Sequence, residues 1–231
     1  MPRDPVAKAF AGSNPAPRNG IAPRPRTPLT HRQLVIRLAK LPGPPSPDPA
    51  LEQVPTPPER AAELLLGAWQ RGDIEGRSVA DLGTGTGVLA LGAALLGARS
   101  VVGWEVDPAC VTVARAYAEE WRLPVVIHRA EVREATGRVD TVVMNPPFGA
   151  QREGADREFW AAAFRLRPRR VYGFALEASR SFIARRAVEA DTRILDLHPV
   201  PWELPALFPH HRARSRPLKV DLWVLERSEG P

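Results

Sequence analysis

Strand-like and helix-like stretches alternate along most of this chain, and that alternation limits the possible folds more than any other property of the sequence. Apolar runs of strand length are predicted at Ser78 to Leu82, Ser100 to Glu105, Val125 to His128, Val139 to Met144 and Val171 to Ala175. Helical spacing is predicted between them, from Gly87 to Leu96, Pro108 to Trp121, around Arg157 to Leu166 and Ser179 to Ala190. A further helix, to about Arg71, opens at Thr56-Pro57-Pro58-Glu59, a sequence that fits a capping box with proline at the first helical position. Helices between successive strands act as crossovers and imply parallel pairing, with both faces of the sheet covered. The expected fold is therefore α/β with a mostly parallel sheet and helices on both faces. The end of the chain breaks the rule: Ile194 to Val200 and Leu218 to Leu225 follow one another without a helix, which predicts an antiparallel hairpin.

With 231 residues the chain can bury one such core. Residues 1–30 are rich in Pro and Arg without apolar periodicity and are expected to form a disordered basic arm. Residues 31–50 carry a short helix, with Leu34, Val35, Leu38 and Leu41 on one face, followed by a proline-rich linker. Residues 51–228 are expected to form the main domain. The longest apolar run, Val88 to Ala98, is interrupted by glycines and falls short of the roughly 18 residues that span a bilayer. No signal-peptide core follows the charged N-terminus, so a cytoplasmic protein is expected. Cys110 is the single cysteine, which rules out an internal disulfide and predicts packing only. The net charge of +6 favours a polyanionic partner, although only Lys8, Lys40 and Lys219 are lysines and the arginine bias also fits a GC-rich genome.

The first strand runs into Asp81-Leu82-Gly83-Thr84-Gly85-Thr86-Gly87. Glycines at a strand-to-helix junction let the backbone turn tightly and approach a ligand at the carboxyl ends of the strands. A dinucleotide loop would place Gly or Ala where Val88 stands. With Asp81 two residues ahead of Gly83, the loop suits a cationic sulfonium better than a pyrophosphate. The second strand ends at Glu105-Val106-Asp107, about twenty residues on, where a carboxylate can accept both hydroxyls of a ribose. Glu105 is assigned to that role and Asp107 to capping the next helix. After the third strand, Glu131 and Val132 offer a polar contact and an apolar wall for an adenine.

Asn145-Pro146-Pro147-Phe148-Gly149 follows the strand ending at Met144, so it leaves the same edge of the sheet. An amine on an aromatic ring is a poor nucleophile because its lone pair is delocalised. The Asn145 side-chain carbonyl and the Pro146 backbone carbonyl could accept its two hydrogens and favour a lone pair aimed at an electrophilic methyl. Pro146 and Pro147 hold that backbone in place, and Phe148 supplies a face for a displaced base.

These strings carry a family resemblance. From about Arg32 to Arg227 the chain resembles the archaeal and eukaryotic ribosomal-RNA adenine-N6 methyltransferases of the methyltransferase-like-five type. It does so through Leu51-Glu52-Gln53-Val54-Pro55-Thr56, Ala80-Asp81-Leu82-Gly83 with Gly85 and Gly87, Met144-Asn145-Pro146-Pro147-Phe148-Gly149 and Val220-Asp221-Leu222. The resemblance implies a class I (Rossmann-like) seven-stranded sheet, S-adenosyl-L-methionine as cofactor, and an adenine of small-subunit rRNA as target. It also implies a small zinc-binding activator protein paired with a sheet edge. By the same resemblance Gln53 and Thr56 reach the cofactor from ahead of the first helix. Gly83, Thr86 and Val88 line its methionine and ribose, Glu105 holds the ribose, Glu131 and Val132 hold the adenine, and Asn145 to Phe148 clamp the target base. Where the family pattern has tyrosine, two cysteines and two aspartates, this sequence has Val54, Thr84 and Thr86, and Glu105 and Glu131.

Other amine targets share the same strings: a DNA adenine, an rRNA guanine N2 or a protein glutamine. A reading from another class is a catalytically idle RNA-binding assembly factor, against which the intact Asn145 and glycine loop argue. For RNA contact the candidates are His210, His211, Arg212, Arg214 and Arg216 beside Phe208, then Gln151 and Arg152, with Arg18, Arg24 and Arg26 as an electrostatic tether. No ligand set has metal spacing, so no metal is expected.

Overall fold

The computed structural model describes residues 29–149, 154–202 and 218–228. Seven strands form one sheet: β1 (Ser78–Leu82), β2 (Ser100–Glu105), β3 (Val125–Arg129), β4 (Thr141–Met144), β5 (Arg170–Leu176), β6 (Thr192–Trp202) and β7 (Leu218–Arg227). Their order is β3-β2-β1-β4-β5-β7-β6. The five strands from β3 to β5 are parallel, and β7 is antiparallel to both β5 and β6. The expected mostly parallel sheet and C-terminal antiparallel pair are both present. One feature has no local sequence signal: β7 is inserted between β5 and β6, so among the described residues the last strand is internal and β6 is an edge. Pro199 and Pro201 lie on that edge strand, where their missing amides leave no ladder bond unmade.

Among the described residues, six helices cover the sheet. Helices α1 (His31–Leu38), α2 (Pro58–Gln70), α3 (Val88–Leu95) and α4 (Pro108–Glu120) pack their apolar sides into one core with Val79, Val101, Val143 and Phe174. Helices α5 (Ala155–Arg165) and α6 (Arg180–Glu189) pack into a second core on the opposite face with Ala80, Val102, Met144 and Trp223. Neighbouring residues of one strand, such as Val79 and Ala80, therefore serve different cores, and every residue of β1 is buried. Helix α1 packs directly into the first core, with Leu34 and Leu38 fully buried beside Leu65. Gly92 makes this possible, because a Cβ there would meet Leu65 and Leu38. Among the described residues no helix is long and apolar enough to cross a membrane.

One predicted terminus changes. Helix α2 begins at Pro58 with Pro57 as N-cap and no side-chain cap, so the capping box expected at Thr56 does not form. The Thr56 hydroxyl is engaged elsewhere. Helix α1 does carry a capping box, between Thr30 and Gln33.

Candidate active site

Strand order places the site. The chain runs outward through β1, β2 and β3, then returns to β4 on the other side of β1, so the connections after β1 and β4 diverge and leave a crevice at their carboxyl ends. Leu82 is in register with Met144 on one side and with Trp104 on the other. The glycine loop, the Asn145 loop and Glu105 therefore leave three adjacent strands at one level.

The glycine loop turns through left-handed backbone at Gly83 (φ 72°), Gly85 (φ 55°) and Gly87 (φ 100°). A Cβ at Gly83 would lie 2.6 Å from Phe159, whereas a Cβ at Gly85 would meet nothing within 4 Å. The loop is closed beneath Gly83 and open over Gly85. Glu105 spans the loop and its own strand end: Oε2 accepts from the Gly85 amide at 2.8 Å and Oε1 from the Asp107 amide at 2.9 Å. Each oxygen keeps a lone pair for a further donor. Asp107 caps α4 through the Ala109 amide, as expected. Burial raises its carboxyl, but hydrogen bonds from Gln53, Ala109 and Cys110 outweigh that and hold it below the usual carboxylate range.

Asp81 lies beneath the loop and is almost fully buried. Its Oδ2 accepts from the Ala90 amide at 2.9 Å and its Oδ1 has no partner among the described residues. Burial, with Glu105 nearby, pushes this carboxyl up to about 8, so in the protein alone it is largely protonated at neutral pH. The Thr86 hydroxyl donates to the Pro42 carbonyl at 2.8 Å, which lays the proline-rich segment against the loop. The Tyr117 hydroxyl donates to the Lys40 carbonyl at 3.2 Å and ties the same segment to α4. Val88 packs against the first core. Glu131 pairs with Arg133 ahead of a short 3-10 turn, and Val132 is buried.

Gln53 reaches β2 from ahead of α2. Its Nε2 donates to Asp107 Oδ2 at 2.6 Å, and its Oε1 accepts from the Asp48 amide at 2.8 Å. Three residues on, Thr56 turns to β4 instead: Asn145 Nδ2 donates to Thr56 Oγ1 at 3.0 Å and to the Val54 carbonyl at 3.3 Å. Asn145 Oδ1 is shielded from solvent and has no partner among the described residues. Phe148 stands edge-on to Trp202, ring centroids 5.5 Å apart, and Trp202 is backed in turn by Phe174 at 4.9 Å. The residues read from the sequence thus gather at one edge, with Asp81 below it.

Sequence reasoning missed Pro42, Trp202 and the partners of Asn145, because each contact joins segments far apart in the chain. Cys110 is buried, and burial together with Asp107 pushes its thiol up to about 12, which fits packing rather than reactivity. No group of three or more His, Cys, Asp or Glu among the described residues could hold a metal. The candidate RNA contacts at Arg18, Arg24, Arg26, Gln151, Arg152, Phe208, His210, His211, Arg212, Arg214 and Arg216 lie outside the described residues.

A mostly parallel sheet with an antiparallel seventh strand inserted beside β5, a glycine loop after β1 and an acid at the end of β2 define a class I methyltransferase that uses S-adenosyl-L-methionine. The open backbone at Gly85 and the free lone pairs of Glu105 fit that cofactor. Residues 58–168 match the family described as the methyltransferase small domain. The rRNA N(6)-adenosine-methyltransferase Mettl5 of Drosophila melanogaster is 37% identical over 206 residues, which cover 86% of this chain and 97% of that protein. Its Danio rerio counterpart is 32% identical over 197 residues, covering 82% and 95%. The crystal structure of a candidate RNA methyltransferase from Pyrococcus horikoshii superposes with a TM-score of 0.77 at 39% identity, over 85% of this chain and 96% of that one. The chain belongs to the rRNA N6-adenosine methyltransferase family.

Proposed function

We propose that the protein methylates the N6 amine of an adenine in small-subunit ribosomal RNA. The observation that carries this reading is the Asn145 carboxamide. Its nitrogen is satisfied by Thr56 and Val54, while its oxygen is buried without a partner among the described residues. A buried acceptor left unsatisfied costs about 1–3 kcal/mol, which a donor supplied by a substrate would recover. The Pro146 carbonyl, next in the chain and fixed between prolines, is the second acceptor. Together they would take both amine hydrogens and favour a lone pair on nitrogen. Because Oδ1 is shielded, the surrounding residues must part to admit the base, and Phe148, braced by Trp202, would meet its ring.

When bound, the cofactor supplies an electrophilic methyl on a sulfonium. Gly83, Gly85, Thr86 and Val88 would line its site, with Asp81 supporting the loop from below. Glu105 would accept from the ribose hydroxyls, Glu131 and Val132 would border the adenine, and Gln53 would close the site from ahead of α2. The curated relatives, named as rRNA N(6)-adenosine methyltransferases, support RNA adenine over DNA or protein amines. A zinc-binding activator that adds a strand would find β3 the more accessible edge, since β6 carries two prolines and β3 exposes Val126. Within this reading the catalytic domain is residues 51–228, preceded by the 31–50 helix and linker and the basic arm of residues 1–30, in a cytoplasmic protein.

The test is incubation of the purified protein with radiolabelled S-adenosylmethionine and unmodified small-subunit rRNA, followed by digestion to nucleosides. Label in N6-methyladenosine that is lost in Asn145→Ala is expected. Label in another nucleoside, or none despite cofactor binding and added activator, would overturn the assignment.

A further inference from the structure

We propose that Thr56 is a positioning residue for methyl transfer: together with the Val54 carbonyl, it fixes which way round the Asn145 carboxamide faces. This rests on the reading of Asn145 as acceptor for the substrate amine. A carboxamide is nearly symmetric in shape, and a half-turn exchanges its oxygen and nitrogen, so only its hydrogen bonds decide the orientation. Here the nitrogen donates to Thr56 Oγ1 at 3.0 Å and to the Val54 carbonyl at 3.3 Å, and the oxygen is left for the site. The reversed group would set Oδ1 against the Val54 carbonyl, acceptor against acceptor. It would also present Nδ2, a donor, to an amine whose hydrogens need acceptors. The Thr56 hydroxyl alone could serve either orientation, because it can both donate and accept. The Val54 carbonyl cannot, so it sets the direction while the shorter bond to Thr56 supplies the hold.

The sequence around these two groups is stiff for reasons that have nothing to do with the cofactor. In Val54-Pro55-Thr56-Pro57-Pro58 three prolines fix their own φ, and Val54, Thr56 and Pro57 each precede a proline and are kept out of the helical region. Thr56 is β-branched, which restricts χ1, and it is buried. Its hydroxyl is free for Asn145 because α2 starts one residue too late to use it as a cap.

The experiment compares wild type with the near-isosteric Thr56→Val and the conservative Thr56→Ser. It measures cofactor Kd by calorimetry, KM for rRNA, and the single-turnover rate at saturating cofactor. In cofactor-free protein it also follows the Asn145 side-chain amide by 1H–15N NMR, with its signals assigned by their loss in Asn145→Asp. Thr56→Val is expected to lower the transfer rate about tenfold, the loss of one hydrogen bond. Cofactor Kd and KM should stay within about twofold, the Asn145 amide signals should shift, and Thr56→Ser should restore rate and signals together. A higher cofactor Kd with an unchanged saturated rate would overturn the proposal in favour of a cofactor contact. Unchanged amide signals would also overturn it. If wild type methylates no rRNA adenine, the functional reading fails on its own, and the amide signals still decide whether Thr56 holds Asn145.

Discussion

Replacing Gly83 with alanine tests the floor of the site through two separable costs. The first is conformational: at φ 72° an alanine sits in the left-handed region, which costs about 1–2 kcal/mol. The second is steric, because the new Cβ would stand 2.6 Å from Cε1 of Phe159, well inside van der Waals contact. Phe159 packs against the second core, so its ring must push into packed neighbours, at about 1–3 kcal/mol. Together Gly83→Ala should destabilise the protein by about 2–5 kcal/mol, read as a lower urea midpoint at constant m. In a Phe159→Ala background the same change should cost only the conformational part, about 1–2 kcal/mol. Equal costs in the two backgrounds, or a single-mutant cost below about 0.5 kcal/mol, would refute the placement of Phe159 beneath the loop. Calorimetry should also show weaker cofactor binding by Gly83→Ala, since the displaced backbone is the part of the loop nearest the open position at Gly85.

Two further outcomes follow from buried groups. Asp81 is raised from its ordinary 3.8 to about 8, so the folded protein holds a proton that the unfolded chain releases. Its contribution is therefore fully present at low pH and is lost as pH rises through about 8, and urea titrations across that window should show a falling stability that Asp81→Asn flattens; an equal slope in both proteins would contradict it. Leu34→Ala, which empties a fully buried position in α1, should cost about 2–5 kcal/mol in the same assay, whereas a cost under about 1 kcal/mol would show that α1 is not part of the core.

The strands were legible because burial on both faces writes itself as short continuous apolar runs, as in Ser78 to Leu82, and the glycine loop because its left-handed turns need glycine. Pairing order is different. Nothing local in Leu218 to Leu225 says that this strand enters between β5 and β6, since insertion depends on edges formed by other segments. Thr56 failed for a related reason. Thr-Pro-Pro-Glu has the composition of a helix cap, but the hydroxyl is committed to Asn145, a partner no local pattern can announce. Phe148 was legible as an aromatic beside the site, whereas the buried Trp202 that braces it was not.

The segment from Gln53 to Thr56 is best understood as a bar across the site. It bonds Asp107 beyond the end of β2 at one end and Asn145 after β4 at the other, and β1 with its glycine loop lies between those two strands. A flexible lid with the same contacts would have to be ordered at each turnover. Here Pro55, Pro57 and Pro58 remove most of that freedom in the unfolded chain as well as the folded one, so the ordering cost is small before any ligand arrives. Asn145 thus acquires its direction from the fold rather than from the substrate. For a weak amine nucleophile that is where preorganisation is worth most, because the acceptor must already face the amine when the base enters.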